Sequence, residues 1–389
     1  MLPDQNDLYT KQVSRYFNIQ DVTWGNGKDK FLVRYRGKLR DSDSAQAYDQ
    51  LAQTLRPHNV TPLFRHDGKD QVVLLINGVI APKPTKMWGN VVFFTLTVLS
   101  VMFVGASYSA TFMPSSLADW VRFTLTGWPY AVALMAILVC HEFGHYLAGR
   151  YHKTAVTLPF FIPLPVGLGT LGAFIQLKEP PKNKRILLDI GLAGPLAGLV
   201  VAIPFLIYGL YHSPVEQLPA QLPLMQGFEG NSIFYLFLKY VIKGQLLPHP
   251  ATYAGLSPVF YWLRYFFTGR PLPAGGVDII LNPIAWAGWV GLLVTSLNLI
   301  PAGQLDGGHI MYVLLGKRTS KLLPFILVIL VALSFVYSGW LLWAFLIFLL
   351  GRYHAEPLDE ITPLDPKRRA LAVLGVLIFI LVFMPVPFS

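Results

Sequence analysis

Residues 138–147 read LVCHEFGHYL. His141, Glu142 and His145 stand there inside a run otherwise apolar enough to lie in a bilayer, with no Lys or Arg in the segment to pair with them. A buried carboxylate without a partner is costly, so a chain that keeps one has a use for it. In a helix, positions four apart share a face, which lets both imidazoles address a single ion while Glu142 sits one position round the same rim. The HExxH spacing therefore predicts a Zn2+ site with its own general base. The bland alternative, two satisfied core histidines and a snorkelling glutamate, leaves the carboxylate without a counter-charge.

Catalytic zinc takes three protein ligands and keeps one position open, so one more donor is required. Of the 21 acidic residues, Glu142 and Asp306 alone sit well inside apolar surroundings, the latter in TSLNLIPAGQLDGGHIMYVLL at 295–315. Pro301, Gly303, Gly307 and Gly308 break a helix there and let the backbone deliver a short side chain. His309, three residues on, is the alternative third ligand. Asp189 is a weaker rival, four residues from Arg185, which is expected to pair with it or to cap the helix.

The chain is 389 residues long, 53% hydrophobic and 13% charged. Repeated apolar runs near twenty residues mark an α-helical polytopic membrane protein. Segments at about 88–107, 128–149, 186–211, 279–300, 322–350 and 370–387 lead to an expectation of about six transmembrane segments. The run at 322–350 carries YSGW near its middle, and reads as one tilted helix or as a hairpin of two short ones. Residues 87–389 are expected to form the membrane part, with the catalytic core in about 128–316.

Residues 1–86 read as a small extramembrane α+β domain in β-α-β-β order, with no histidine cluster or glycine loop. A regulatory or docking role, with a regulator bound there, is expected of it rather than catalysis. Its polar start reads as lacking a cleavable signal peptide. The single cysteine, Cys140, excludes intrachain disulfides. A net charge of +10 would suit nucleic acid, but the basic residues gather at segment ends and in 1–86. No nucleic-acid partner is expected; the charge reads as topology beside an anionic lipid bilayer. Arg150, Lys153, Lys178, Lys182, Lys184 and Arg185 crowd the 150–185 loop, whereas 108–127 holds only Arg122. The crowded loop, and with it the N-terminal domain, is expected on the cytoplasmic side.

Two stretches fit no simple span. TLPFFIPLPVGLGTLGAFIQL, at 157–177, is broken by prolines and glycines, and reads as a re-entrant loop with a strand near TLGAFIQL. Residues 212–276 are rich in proline and aromatics, and FYLFLKYVIK and VFYWLRYFF within them read as interfacial helices on the far side.

HEFGH in an apolar helix, GLAGPLAG in the next span and NLIPAGQLDGG in a later one resemble the site-2 protease family of intramembrane zinc metalloproteases. LPFFIPLP followed by GTLGAFIQLKEPPKNKRILLDIGLAGPLAG is most similar to its plastid and cyanobacterial branch. The resemblance covers roughly 130–210 and 280–316. It implies that His141, His145 and Asp306 hold zinc, that Glu142 is the general base, and that Asn298 orients or stabilises the reacting carbonyl. By residue chemistry alone, Asn298 equally caps the broken helix. The resemblance further implies a transmembrane protein substrate, in a bacterial inner or thylakoid-type membrane. No PDZ domain fits the 65-residue connection between the two catalytic halves.

HEFGH falls late in the helix that Pro129 opens, so cleavage is expected near the cytoplasmic leaflet. A helical substrate must unwind, and an edge strand at TLGAFIQL would receive it by strand addition. The main rival class is an ion or metal transporter with an intramembrane His/Glu/Asp site, which calls for related halves; HEFGH has no counterpart in the second half. An iron oxygenase is expected to carry several histidine clusters, and the other seven histidines are scattered.

Overall fold

The computed structural model describes residues 3–26, 28–41, 43–80, 87–108, 112–221, 227–351 and 356–389. The N-terminal part runs α1 (Pro3–Ser14), β1 (Phe17–Trp24), β2 (Val33–Leu39), α2 (Ser44–Leu55), β3 (Val60–Asp67) and β4 (Asp70–Asn77), with the strands in an antiparallel sheet of order β1-β2-β4-β3. Asp43 caps α2 by accepting the Ala45 N–H. The buried stripe Ala47, Tyr48, Leu51 and Leu55 packs on Val33, Phe64, Val73 and Leu75. The order read from the sequence lacks α1 and β1, because β1 is mostly solvent-facing and carries little apolar alternation.

The remainder is mostly helical: α3 (Trp88–Ser107), α4 (Leu117–Thr126), α5 (Trp128–Tyr151), the hairpin β5 (Phe160–Pro163) and β6 (Thr170–Phe174), α6 (Lys184–His212), β7 (Val215–Gln217), α7 (Ile233–Lys243), α8 (Pro258–Thr268), β8 (Val277–Ile279), α9 (Pro283–Asn298), α10 (Asp306–Leu315), α11 (Leu323–Ser334), α12 (Gly339–Leu350) and α13 (Pro366–Val382). Among the described residues, three helices, α3, α5 and α6, are long and apolar enough to cross a membrane. Six were expected. The shortfall has local causes: α9 ends before Pro301 and Gly303, α13 stops after 17 residues at Val382, ahead of Pro385, and the 322–350 run breaks at 335–338 into two 12-residue helices packed on each other. Each of those is about 18 Å long at 1.5 Å per residue, short of the about 30 Å of a hydrocarbon core. Their outer faces expose Phe325, Val328, Leu341, Leu342 and Phe345, a surface suited to lipid rather than water.

α5, α6 and α9 form the centre of the apolar core, with Leu134, Leu138, Leu199, Leu206, Val290 and Leu293 buried between them. The β5–β6 hairpin lies along α3 and α5. Phe93 and Phe94 of α3 meet Phe160 and Phe161 of β5, and Asn90 donates to the carbonyls of Leu158 and Pro159. At the hairpin's tip, Tyr130 and Ser100 donate to Leu168 and Gly169. The anchors to α3 and Tyr130 fall on the β5 or tip side, and Ile175, just past β6, donates its N–H to Glu142; one edge of β6 stays without a strand partner among the described residues.

A strap at 358–360 fastens the N-terminal sheet to the start of α6. It adds to the edge of β3 through Phe64 N–H to Leu358 O (3.0 Å) and Glu360 N–H to Phe64 O (3.1 Å). Its Leu358 and Asp359 N–H groups bond the carbonyls of Pro181 and Lys182. Asp359 is fully buried and accepts hydrogen bonds from Ser44, Thr362 and the Ile361 N–H. Tyr312 of α10 donates to Glu360 at 2.9 Å, so the strap touches the helix that begins at Asp306.

Candidate metal centre

α5 carries His141, Glu142 and His145 near its C-terminal end, all buried. The chain then turns at 299–305, and α10 opens on Asp306. Gly307 permits that return: a Cβ there would lie 1.9 Å from the Leu299 carbonyl oxygen. The two imidazole Nε2 atoms are 3.2 Å apart, and the Asp306 carboxylate oxygens stand 3.4 Å from His141 Nε2 and 3.3 Å from His145 Nε2. Among the described residues, these three form the one group of His, Cys, Asp or Glu side chains whose ligand atoms all lie within 4.8 Å of one another.

These separations match the about 3.4 Å edge of a tetrahedron with metal–ligand bonds of about 2.1 Å. The donor set of two imidazoles and one carboxylate suits zinc. His145 Nδ1 donates to the Ile190 carbonyl at 2.7 Å, which fixes the tautomer and leaves Nε2 free for an ion. Glu142 Oε2 is buried and meets no donor among the described residues, an orphaned acceptor beside the three clustered ligand atoms that water would satisfy. The residues fit the metal.

α6 makes room for the imidazoles by lacking side chains. A Cβ on Gly194 would sit 2.0 Å from His145 Nε2, and one on Gly198 would sit 3.1 Å from His141 Nδ1. Sequence reasoning used GLAGPLAG only as a mark of resemblance; the signal that it faces the histidines was the glycine spacing on one helix face.

Asn298, the last residue of α9, places Nδ2 3.3 Å from His141 Nε2. It lies at the metal-ligand cluster rather than at a distant cap. His309 lines the same cavity but is not one of the three clustered ligands. Asp189 is elsewhere: Arg368 of α13 clamps it through two hydrogen bonds of 2.8 and 2.6 Å, and His152 Nε2 is 2.9 Å away. The expected Arg185 partner instead donates to the Pro363 carbonyl, because α13 brings a better-placed guanidinium to that turn of α6.

Two cavities meet at Glu142. One, of about 160 Å3, is bounded by the three ligands with Gln304, His309, Ile175 and Leu177. The other, of about 550 Å3, runs from His141, Glu142 and Asn298 between β6, α9 and α12. An HExxH helix, a carboxylate delivered by a broken helix and a buried glutamate beside them, all among apolar helices, make up the candidate metal centre of a membrane protein. The family model for peptidase family M50 matches residues 129–338, just over half the chain. This chain belongs to that family, the site-2 proteases.

The chain is 27% identical over 374 residues to a probable zinc metalloprotease, EGY2, chloroplastic, of Arabidopsis thaliana, covering 92% of this chain and 61% of that protein. It is 26% identical over 390 residues to EGY1 of the same plant, covering 92% of this chain and 66% of that one. With a probable zinc metalloprotease EGY3, chloroplastic, of Oryza sativa subsp. indica, identity is 34% over 301 residues, covering 75% and 46%. The chain thus spans less than two thirds of the length of these relatives. No solved structure matches it.

Proposed function

We propose that this chain is an intramembrane zinc metalloprotease that hydrolyses peptide bonds in transmembrane protein substrates. The observation that carries the reading is the meeting of His141, His145 and Asp306, from two distant parts of the chain, beside a buried Glu142 with an unsatisfied oxygen. His141, His145 and Asp306 would hold the ion, which supplies acidification of water and polarisation of a peptide carbonyl. Glu142 takes the proton from the attacking water and returns it to the leaving amine. Asn298, through Nδ2, donates to the oxygen on which negative charge develops.

Substrate backbone is delivered by β6. Its unpartnered edge lines the larger cavity, with Thr170, Leu171, Gly172 and Ala173 all on its wall. An unwound substrate segment adds there as a strand, so that its carbonyls pass Glu142. Gly172 has φ +99°, which proline cannot adopt, so Ala173→Pro is the cleaner way to block that edge.

The smaller cavity supplies the water route. Its lining by Gln304, His309 and Asp306 is polar where the other is apolar. The basic 150–185 loop supports a cytoplasmic position for that side, hence cleavage near the cytoplasmic leaflet of a multi-pass protein with about six membrane-embedded segments. Residues 1–86 are a cytoplasmic domain that receives a regulator; the strap tying β3 to the start of α6 and to Tyr312 of α10 supports a path from that domain to Asp306.

The test pairs metal analysis with cleavage of a single-span reporter in proteoliposomes. Glu142→Gln is expected to keep its zinc and lose cleavage. A Glu142→Gln protein that still cleaves, or a wild-type chain without metal, would sink the reading.

A further inference from the structure

We infer that the aromatic floor of the larger cavity, made by Phe388 with Tyr337, Trp340 and Trp343, selects the size of the apolar side chain that a substrate seats beside the scissile bond. This rests on the protease reading above. At about 550 Å3 the cavity falls within the about 300–1,000 Å3 of small-molecule sites, so it holds more than one side chain. Its polarity is graded: His141, Glu142 and Asn298 stand at one end, and beyond them the walls are Leu293, Val294 and Leu297 on one side and β6 on the other. A peptide laid along β6 presents alternate side chains to one face. The reacting carbonyl then stays at the polar end while neighbouring side chains go to the apolar one. That continuity with Glu142 makes substrate, rather than lipid, the occupant.

The floor is held rigidly. Phe388 belongs to a segment paired on the 228–230 stretch, through Phe228 N–H to Ser389 O (3.0 Å), Ser389 N–H to Phe228 O (3.1 Å) and Gly230 N–H to Pro387 O (2.7 Å). The Trp340 indole donates to Pro385 O at 2.7 Å. The Phe388 ring packs 5.3 Å from that of Trp289 and 6.2 Å from that of Tyr337. A fixed apolar floor discriminates by volume, with a single methylene worth about 10- to 200-fold in such pockets.

The experiment uses full-length protein and quenched-fluorescent apolar peptides, identical save for one position carrying Ala, Leu, Phe or Trp. Phe388→Ala is expected to raise the Trp-to-Leu cleavage ratio about tenfold or more, and an unchanged ratio would overturn the inference. Should that variant misfold, Trp343→Ala, at a half-buried position of α12, reads the same ratio. Independently of turnover, a benzophenone-bearing peptide is photocrosslinked to Glu142→Gln protein and the adducts are mapped by mass spectrometry. Adducts at 337–343 or 387–388 support the floor as the seat of the side chain; adducts confined elsewhere overturn it. Failure of wild-type protein to cleave any peptide would count against the protease reading instead, with the crosslink still judging the cavity.

Discussion

Two places in this molecule bury charge, and they do it in opposite ways. At the metal centre, Glu142 and Asp306 meet two imidazoles and no Lys or Arg. On the 213–282 connection, outside the spans, buried Glu229 and Asp278 share Lys239, which is itself fully buried. Lys239 Nζ is 3.9 Å from Glu229 Oε1 and 4.5 Å above the Tyr235 ring, while the Tyr235 hydroxyl donates to the same carboxylate. The second cluster carries its own cation, held by the Glu229 ion pair and the Tyr235 ring. The first has acids and no Lys or Arg among the described residues, and on the proposed reading an ion from outside completes it. Buried acids are therefore informative through what they lack.

The largest effect that breaks this contrast comes from the ligands. Asp306→Ala removes the third donor, and is expected to abolish both zinc content and cleavage; retention of one zinc per chain by atomic absorption would move the third ligand elsewhere. Asn298→Ala is expected to leave zinc content intact and to lower turnover by about 100- to 1,000-fold, the usual cost of one oxyanion donor, read from kcat on the single-span reporter. Gly194→Ala puts a methyl group 2.0 Å from His145 Nε2. It is expected to weaken zinc by about 10- to 100-fold in a chelator competition, as perturbations around metal ligands do.

The smallest effect tests the paired cluster. Burial first, then the neighbouring Asp278, pushes Glu229 from its ordinary 4.5 to about 7. The folded state then holds a proton that the unfolded chain releases, so the stability this group contributes is full below about pH 4.5 and declines as pH rises toward 7. Burial lowers Lys239, a shift whose pH dependence has the opposite sign. The thermal midpoint of wild-type protein is expected to fall by several degrees between pH 5 and pH 8, and Glu229→Gln to flatten the profile. An equal fall in the variant would assign the dependence to another group.

Much of the centre was legible because its chemistry is local. His141 and His145 share a helix turn, and Asp306 sits where Pro301 and the glycines stop a helix, so residue types and spacing carry the information. What escaped was non-local. Arg368 meets Asp189 across 179 positions, and no helical periodicity foretells that contact. The strap at 358–360 reaches β3 through isolated bridges, without the alternation that marks a strand. For 322–350 the sequence left one tilted helix and a hairpin of two short ones both open, and the chain forms two 12-residue helices on either side of the YSG break. Lys239, Glu229 and Asp278 look like ordinary scattered charges until β8 and α7 bring them together.

The zinc K-edge absorption spectrum of the purified chain tests the account most directly. Two imidazole nitrogens and carboxylate or water oxygen at about 2.0–2.2 Å are predicted, with one imidazole lost in His145→Ala. A chain that binds no zinc, or a spectrum without imidazole scattering, would contradict it.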